Sequence, residues 1–147
     1  MFSFKNASPD RDLINSIFKF DVHKLEQTNS IDLSKFTIAL SQYLIYFKSQ
    51  SNQNRADIRK KQRILDGAVT QLLTKELIKE YKTKSAAAAF LIQGTENLCR
   101  LDMEIEELRD REILLEGIDK HISELIASFK RELTRRENEQ WQTEMER

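Results

Sequence analysis

The sequence has few of the residues that build tight turns. Its 147 residues include 3 Gly and 1 Pro, which excludes the Gly-rich phosphate loops and hairpin turns of P-loop, Rossmann and β-sandwich folds. The single cysteine, Cys99, excludes an intrachain disulfide framework and a Cys-rich zinc site, and it indicates a reducing compartment. No apolar run approaches the roughly 18 residues that a membrane span needs, and the first residues show no signal or transit pattern. We therefore expect a cytoplasmic protein with no membrane partner.

Catalytic and metal-binding patterns are also missing from the sequence. Cys99 and His23 are far apart, and no Asn or Asp arrangement singles out a nucleophile. His121 follows Ile118 by three residues, where a Glu-x-x-His metal motif would have glutamate. The acidic run 104–112 is therefore more typical of a solvated helix face than of a metal site. We expect no catalytic residue, no metal site, no cofactor and no enzymatic activity.

Charge is what the chain has in abundance, and it is unevenly distributed. The 24 Lys and Arg balance the 24 Asp and Glu. Residues 30–94 nevertheless carry eleven basic and five acidic groups, a net of +6, whereas residues 95–147 carry nine basic and fifteen acidic groups, a net of −6. The positive segment 30–94 can attract a polyanion. The negative segment 95–147 can complement the positive one within the same assembly.

Apolar residues recur at helical spacing along most of the chain, which predicts an all-α fold. Capping residues mark helix starts near Ser8, Ser30 and Thr95, and Gly94 is expected to end a helix in the left-handed conformation. A break in the basic helix around residues 51–54 is the alternative to one continuous helix. We predict a single helical domain with five segments: an aromatic-rich N-terminal segment 1–29 with a short helix, a basic long helix 30–82, a short helix and turn 83–94, an acidic heptad helix 95–140, and a tail 141–147.

The predicted lengths favour a long antiparallel helical hairpin that other copies complete. A helix over 30–82 spans on the order of 75 Å, whereas a compact monomer of this length is about 40 Å across. The alternative is that the long helices bend back on themselves. One heptad position of the last helix is apolar throughout, and we expect it to form the seam of a homo-oligomer. Its residues are Leu101, Leu108, Leu115, Ile122 and Phe129.

A row of cations on the basic helix is the candidate nucleic-acid-binding site. Four of them fall within about 80° on a helical wheel, and two more widen the patch. Such rows bind phosphates because each contact releases counterions, and arginine adds bidentate geometry. The alternative is a solvated face paired with acids of the last helix. The candidate residues are Lys48, Arg55, Arg59, Lys60, Lys61 and Arg63.

Two large side chains stand out in the polar tail. Trp141 and Met145 are four residues apart, the spacing of neighbours on one helix face, and they are candidate contacts for a protein partner. The alternative is a frayed end that is pinned against a neighbouring subunit.

The order of features resembles the phage recombination mediators of the UvsY type over about residues 35–131. The resemblance is carried by Lys84-Ser85, Phe90-Leu91, Thr95-Glu96-x-Leu98-x-x-Leu101, Ile105-Glu106-x-Leu108 and Leu115-x-x-Ile118-x-x-x-Ile122. It implies a ring-like homo-oligomer that binds single-stranded DNA and helps a recombinase to displace the single-strand-binding protein. Under this resemblance, the cations between Arg55 and Arg63 contact phosphates rather than bases.

Two non-enzymatic alternatives avoid nucleic acid altogether. In a helical adaptor or scaffold, the positive and negative halves neutralise one another and Trp141 anchors a partner protein. In a small inhibitor, residues 102–119 present an acidic face that mimics another surface. The mediator needs its basic row free of acidic partners, whereas the adaptor needs it paired.

Overall fold

The computed structural model describes residues 11–147, and these contain helices and no strand. The all-α prediction is confirmed. Among the described helices, none is both long enough and apolar enough to cross a membrane. The helices are α1 (Arg11–Phe18), a 3-10 helix (Val22–Gln27), α2 (Ser30–Leu72), α3 (Lys75–Glu80), α4 (Lys84–Gly94) and α5 (Glu96–Met145). The predicted helix start at Ser8 lies outside the described residues.

The long basic helix ends earlier than its sequence suggests. Helix α2 passes through residues 51–54 and Gly67 without a break but stops at Leu72, and not at residue 82 as predicted. The reason is Thr74, whose backbone is extended and whose hydroxyl accepts a hydrogen bond from the Leu77 amide. This N-cap starts the separate helix α3.

The junctions on either side of α4 also differ from the prediction. Thr83 caps the start of α4 by accepting a hydrogen bond from the Ala86 amide. None of the described glycines has a positive φ, so Gly94 does not end α4 in the left-handed conformation. Thr95 alone separates α4 from α5. Helix α5 then continues to Met145, so the predicted tail 141–147 is helical in all but its last residues.

The chain divides into two compact units, where the sequence predicted a single domain. We call them the terminal unit (Met1–Ser49 and Glu116–Arg147, described from residue 11) and the central unit (Gln50–Leu115). Each has its own cluster of buried apolar side chains. Helices α2 and α5 contribute a segment to each unit.

In the terminal unit, α1 and the two long segments enclose an apolar core. The segments run antiparallel, because the Phe36 ring of α2 lies 6.2 Å from the Phe129 ring of α5 and Arg136 contacts Ser30. Phe20 meets Phe129 edge to face, with ring centroids 5.7 Å apart. The buried residues are Ile14, Ile17, Leu33, Leu40, Ile122, Leu125 and Phe129.

In the central unit, α2 and α5 are again antiparallel, since Ser51 contacts Glu112 and Lys61 contacts Glu104. The buried residues of this core are Leu65, Val69, Leu98 and Ile105. Residues of α4 pack against the same cluster, and Tyr81 stacks on Phe90 with ring centroids 4.7 Å apart.

The heptad seam of α5 is the interior of the chain itself, which corrects the expectation of an oligomer seam. Ile122 and Phe129 are almost fully buried in the terminal unit. In the central unit Leu115 is buried, Leu101 packs on the core, and Leu108 is half-buried. The apolar stripe that suggested contacts between copies is covered by α2 and its neighbours in the same chain.

Candidate nucleic-acid interface

The candidate interface lies on the α2 segment of the central unit. Leu65 and Val69 define the buried side of this segment. Because successive residues of an α-helix are rotated by about 100°, Arg55 and Lys61 fall on the two flanks of the buried side. Arg59, Lys60 and Arg63 fall on the opposite side and are exposed. The predicted row of cations is therefore divided between two environments.

The two flanking cations form ion pairs with α5. Arg55 pairs with Glu112 through its Nε atom, and Lys61 Nζ donates a hydrogen bond to Glu104 Oε2 at 2.7 Å. The hydrogen bond from Lys61, with its charge, lowers the pKa of Glu104 below its ordinary value. Contact of Arg55 and Lys61 with phosphates stays a prediction, and α5 carboxylates compete with phosphates for both side chains.

A polar cluster beside these pairs interrupts the apolar packing between α2 and α5. Asn54 is buried, and its Nδ2 donates to the Leu108 carbonyl at 3.0 Å and to Glu112 Oε2 at 3.1 Å. Ser51 Oγ donates to Glu112 Oε1 at 3.1 Å. Burial raises the pKa of Glu112, but the hydrogen bonds from Asn54, Arg55 and Ser51 outweigh it, and the net shift is downward.

The sequence held a signal for this cluster, although its contacts were not predicted. Glu112 interrupts the second seam position of α5, and Ser51 fills an otherwise apolar heptad position of α2. Asn54 lies three residues after Ser51 and therefore on the same face. Polar residues in the seams of two adjacent helices indicate a buried polar contact, but the pairing needs the register that the structure supplies.

The outward cations form the surface that can receive a polyanion. Arg59, Lys60 and Arg63 make no hydrogen bond or ion pair within residues 11–147, and we call them the cation face. They fall within little more than one turn of α2. Small residues flank them, since Ala56 is exposed and the space around Gly67 is open. Ile64, one helical turn after Lys60, is the large side chain exposed beside them.

The remaining predicted site residues lie in the terminal unit. Lys48 is exposed near the end of that unit's α2 segment and is not part of the cation face. Trp141 and Met145 are 68% and 78% exposed on the last turns of α5. Arg136, five residues before Trp141, donates hydrogen bonds to Ser30 Oγ and to the Leu25 and Glu26 carbonyls. Five residues correspond to about 140° of helix rotation, so Trp141 points away from these contacts.

The described residues offer no arrangement for metal chemistry. Within residues 11–147, no group of three or more His, Cys, Asp or Glu side chains is placed to hold a metal ion. Cys99 is a free, half-buried thiol on α5. His121 stacks on Phe18 with ring centroids 5.7 Å apart. The stacking gives His121 a structural role in the terminal unit.

Comparison with known proteins supplies no relative for this chain: no family model, no curated protein and no solved structure matches it.

Proposed function

We propose that this chain is a non-enzymatic accessory protein that binds single-stranded nucleic acid through the cation face. The observation that supports this is the unequal pairing of neighbouring cations. Arg55 and Lys61 have carboxylate partners on α5, whereas Arg59, Lys60 and Arg63 are exposed without one among the described residues. Cations left unpaired on one side of a helix provide the electrostatic attraction on which phosphate binding depends.

The chemistry of the cation face favours contact with the phosphate backbone over the reading of bases. Its groups are two guanidiniums and one ammonium, which match phosphate oxygens in charge and hydrogen bonding. No aromatic side chain belongs to the face, so base stacking contributes little. Three phosphate contacts predict that log K falls with log salt with a slope of about −2 for a single strand.

The role of recombination mediator builds on this binding. Contacts that are weak in one copy gain avidity when several copies engage one strand. A cytoplasmic phage protein of this kind would hold single-stranded DNA while a recombinase is loaded. We propose both the mediator role and the binding of several copies to one strand.

The experiment is fluorescence anisotropy of a labelled oligo-dT titrated with protein at low and at physiological salt. We expect affinity to fall with salt at the slope given above and to be lost in an Arg59→Ala/Lys60→Ala/Arg63→Ala variant. A matched control, Lys75→Ala/Lys79→Ala/Lys84→Ala, removes the same charge from α3 and α4 of the same unit and should bind nearly as the wild type does. Absence of binding at low salt, or equal losses in both variants, would contradict the proposal.

A protein-binding adaptor is the second candidate, favoured by Trp141 and Met145. Both side chains are exposed on one face of the last turns of α5, and exposed aromatic residues are common anchors of protein interfaces. If oligo-dT does not bind, the adaptor becomes the better account of the chain. A Trp141→Ala/Met145→Ala variant is then the one to test against candidate protein partners.

A further inference from the structure

Two exposed ridges of the central unit have the same residue spacing and opposite charge. The cationic ridge of α2 consists of Ala56, Lys60, Arg63 and Gly67, and the acidic ridge of α5 consists of Met103, Glu107, Asp110 and Leu114. Both follow the spacing i, i+4, i+7, i+11, which places four residues in one row along a helix.

The ridges are complementary in charge and in size. Each has two charged residues in the middle, basic in one ridge and acidic in the other. Each ends in apolar or small residues: Ala56 and Gly67 flank the cations, whereas Met103 and Leu114, 59% and 68% exposed, flank the carboxylates. The open space around Gly67 can receive a large side chain. Because the spacing is symmetric, two such ridges can align with every position matched.

All four charged side chains of the ridges are available. Lys60, Arg63, Glu107 and Asp110 are exposed, and none of them forms a hydrogen bond or ion pair within the described part of the chain. The acidic ridge also exposes two large apolar side chains, Met103 and Leu114, in line with its carboxylates. A helix face that only contacts water does not require them. An exposed surface that combines charge with large apolar side chains is typical of an interaction site.

The two ridges face away from each other within the unit. Arg63 is two residues from the buried Leu65, and Glu107 is two residues from the buried Ile105. Two residues correspond to a rotation of about 160° between side chains on an α-helix. Since Leu65 and Ile105 belong to the same apolar cluster between the helices, the charged rows point outward on opposite sides. One copy therefore cannot bring its own ridges together.

We propose that the partner of each ridge is a second copy of this chain, joined head to tail: the cationic ridge of one copy packs on the acidic ridge of the next. Charge complementarity selects this partner, since both halves of the contact are on the chain itself. Such a heterologous contact leaves one free ridge at each end of the assembly, so it continues to further copies and does not close at a dimer. Self-association requires no nucleic acid and stands independently of the proposed function.

The contact predicts weak, salt-sensitive self-association. Four residues per ridge cover less than the roughly 800 Å² per partner of a standard interface, and exposed charge pairs weaken as salt screens them. Lys60 and Arg63 also belong to the cation face. A bound single strand therefore competes with the neighbouring copy for them, and saturating oligo-dT should shorten the assembly.

The test is sedimentation velocity of the full chain from micromolar to submillimolar concentration, at low and at physiological salt. The wild type should grow beyond a dimer at low salt and dissociate as salt is added. Lys60→Glu/Arg63→Glu alone and Glu107→Lys/Asp110→Lys alone should each associate about tenfold or more weakly, because each places like charges opposite one another. An equimolar mixture of the two variants should associate again, since acidic and basic rows are then both present.

A matched control separates this contact from a general effect of charge. Lys79→Glu/Lys84→Glu makes the same change in net charge elsewhere in the central unit and should associate as the wild type does. A wild type that stays monomeric at low salt would overturn the proposal and leave the ridges to a different protein. A dimer that does not grow, an association that appears only with added oligo-dT, or a mixture that stays monomeric would overturn it as well.

The same variants distinguish this inference from the proposed function. Glu107→Lys/Asp110→Lys keeps Arg59, Lys60 and Arg63, so it should lose self-association while still binding oligo-dT. If the wild type self-associates but does not bind oligo-dT, only the proposed function fails. If it binds oligo-dT as a monomer at every concentration, only the head-to-tail contact fails.

Discussion

Arg136 Nε on α5 donates a hydrogen bond to the carboxylate of Glu132 at 2.9 Å, one helical turn earlier. Other nitrogens of the same guanidinium donate to Ser30 Oγ at 2.8 Å and to the Leu25 and Glu26 carbonyls at 3.2 Å. Glu132 thereby orients a side chain that ties the end of α5 to the start of α2 and to the 3-10 helix within the terminal unit. Glu132 is buried, with 7% of the residue's surface exposed.

We expect Glu132→Gln to destabilise the terminal unit by about 1–2 kcal/mol. The substitution replaces the two charged oxygens of the carboxylate with one neutral amide oxygen and one NH2 group. The NH2 group is a donor and cannot accept the hydrogen bonds of Arg135 and Arg136. Urea unfolding followed by circular dichroism measures the change. Glu139→Gln is the matched control: Glu139 also contacts Arg135 but is exposed, so its loss should cost less than about 0.5 kcal/mol. Equal costs for the two variants would contradict the role assigned to Glu132.

The same carboxylate predicts a pH dependence of stability. The hydrogen bond from Arg135, with further contributions from Arg136, lowers the pKa of Glu132 from its ordinary 4.5 to about 2. A lowered pKa in the folded state means that this stabilisation is fully present above pH 4.5 and is lost as the pH falls toward 2. The difference in unfolding free energy between wild type and Glu132→Gln should therefore be constant near neutral pH and shrink between about pH 4.5 and 2. A difference that is unchanged by acid would refute this linkage.

Asn54 and Glu112 predict a non-additive pair in the central unit. Asn54→Ala removes two hydrogen bonds and leaves the Glu112 carboxylate with fewer donors, so we expect a loss of about 1–2 kcal/mol. Asn54 Oδ1 is buried without a partner among the described residues. Replacing both residues by leucine removes the polar groups together and should be nearly neutral or stabilising.

Thermal and urea unfolding of Asn54→Leu, of Glu112→Leu and of the double variant test this cycle. Asn52→Ala, at an exposed position two residues earlier on α2, is the control and should change stability by less than about 0.5 kcal/mol. If the loss of unfolding free energy in Asn54→Leu/Glu112→Leu equals the sum of the losses in the two single variants, the pair is additive. That result would contradict the expectation that the two polar groups mainly satisfy each other.

Periodicity made most of the fold predictable. The 3.6-residue spacing of apolar residues and the capping residues Ser30 and Thr95 indicated an all-α chain, and the heptads of α5 marked residues that are buried or half-buried. The pattern could not say which surface covers Ile122 or Phe129, because a seam within a chain and a seam between copies have the same apolar period. The end of α2 was missed because Thr74 is an ordinary helix residue in sequence and becomes an N-cap only when its backbone is extended.

The sequence predicted the row of cations on α2, but it could not predict which of these cations pair with α5. Charge and wheel position indicated cations from Lys48 to Arg63, but pairing with α5 depends on the register between the helices. That register joins Lys61 to Glu104 and leaves Lys60, its neighbour in sequence, exposed. The cation face and the acidic ridge become visible once the buried sides of both helices are known.

The neighbours Lys60 and Lys61 provide a sharp comparison for nucleic-acid binding. Lys60 is exposed and unpaired among the described residues, whereas Lys61 donates to Glu104. We expect Lys60→Ala to weaken oligo-dT binding about threefold to tenfold at low salt and to lower the salt slope by about 0.7. Lys61→Ala should change affinity less than twofold, because its charge is already compensated. The reverse order of the two effects would reject the division into paired and free cations.

Releasing the paired lysine is the complementary change. Glu104→Gln removes the carboxylate that holds Lys61 and adds one net positive charge, so we expect oligo-dT affinity to rise about twofold at low salt. Anisotropy titrations of Glu104→Gln in the wild type and in the Lys61→Ala background separate the two causes. Glu104→Gln adds the same charge in both backgrounds, but it frees an ammonium only where Lys61 is present. If the gain comes from the freed ammonium, Glu104→Gln should leave the affinity of Lys61→Ala unchanged, whereas a twofold gain in that background would come from the net charge of the unit.

Trp141 and Phe129 should affect stability very differently although both are aromatic residues of α5. Trp141 is 68% exposed and Phe129 is 1% exposed in the core of the terminal unit. Phe129→Ala should therefore cost about 3–5 kcal/mol through lost burial and the cavity left behind, whereas Trp141→Ala should change the unfolding free energy by less than about 0.5 kcal/mol.

Because Trp141 is the only tryptophan, its emission directly reports the exposure of this site. A blue-shifted emission at high dilution, or a stability loss in Trp141→Ala approaching that of Phe129→Ala, would show that the end of α5 is covered and would remove it as a free docking site.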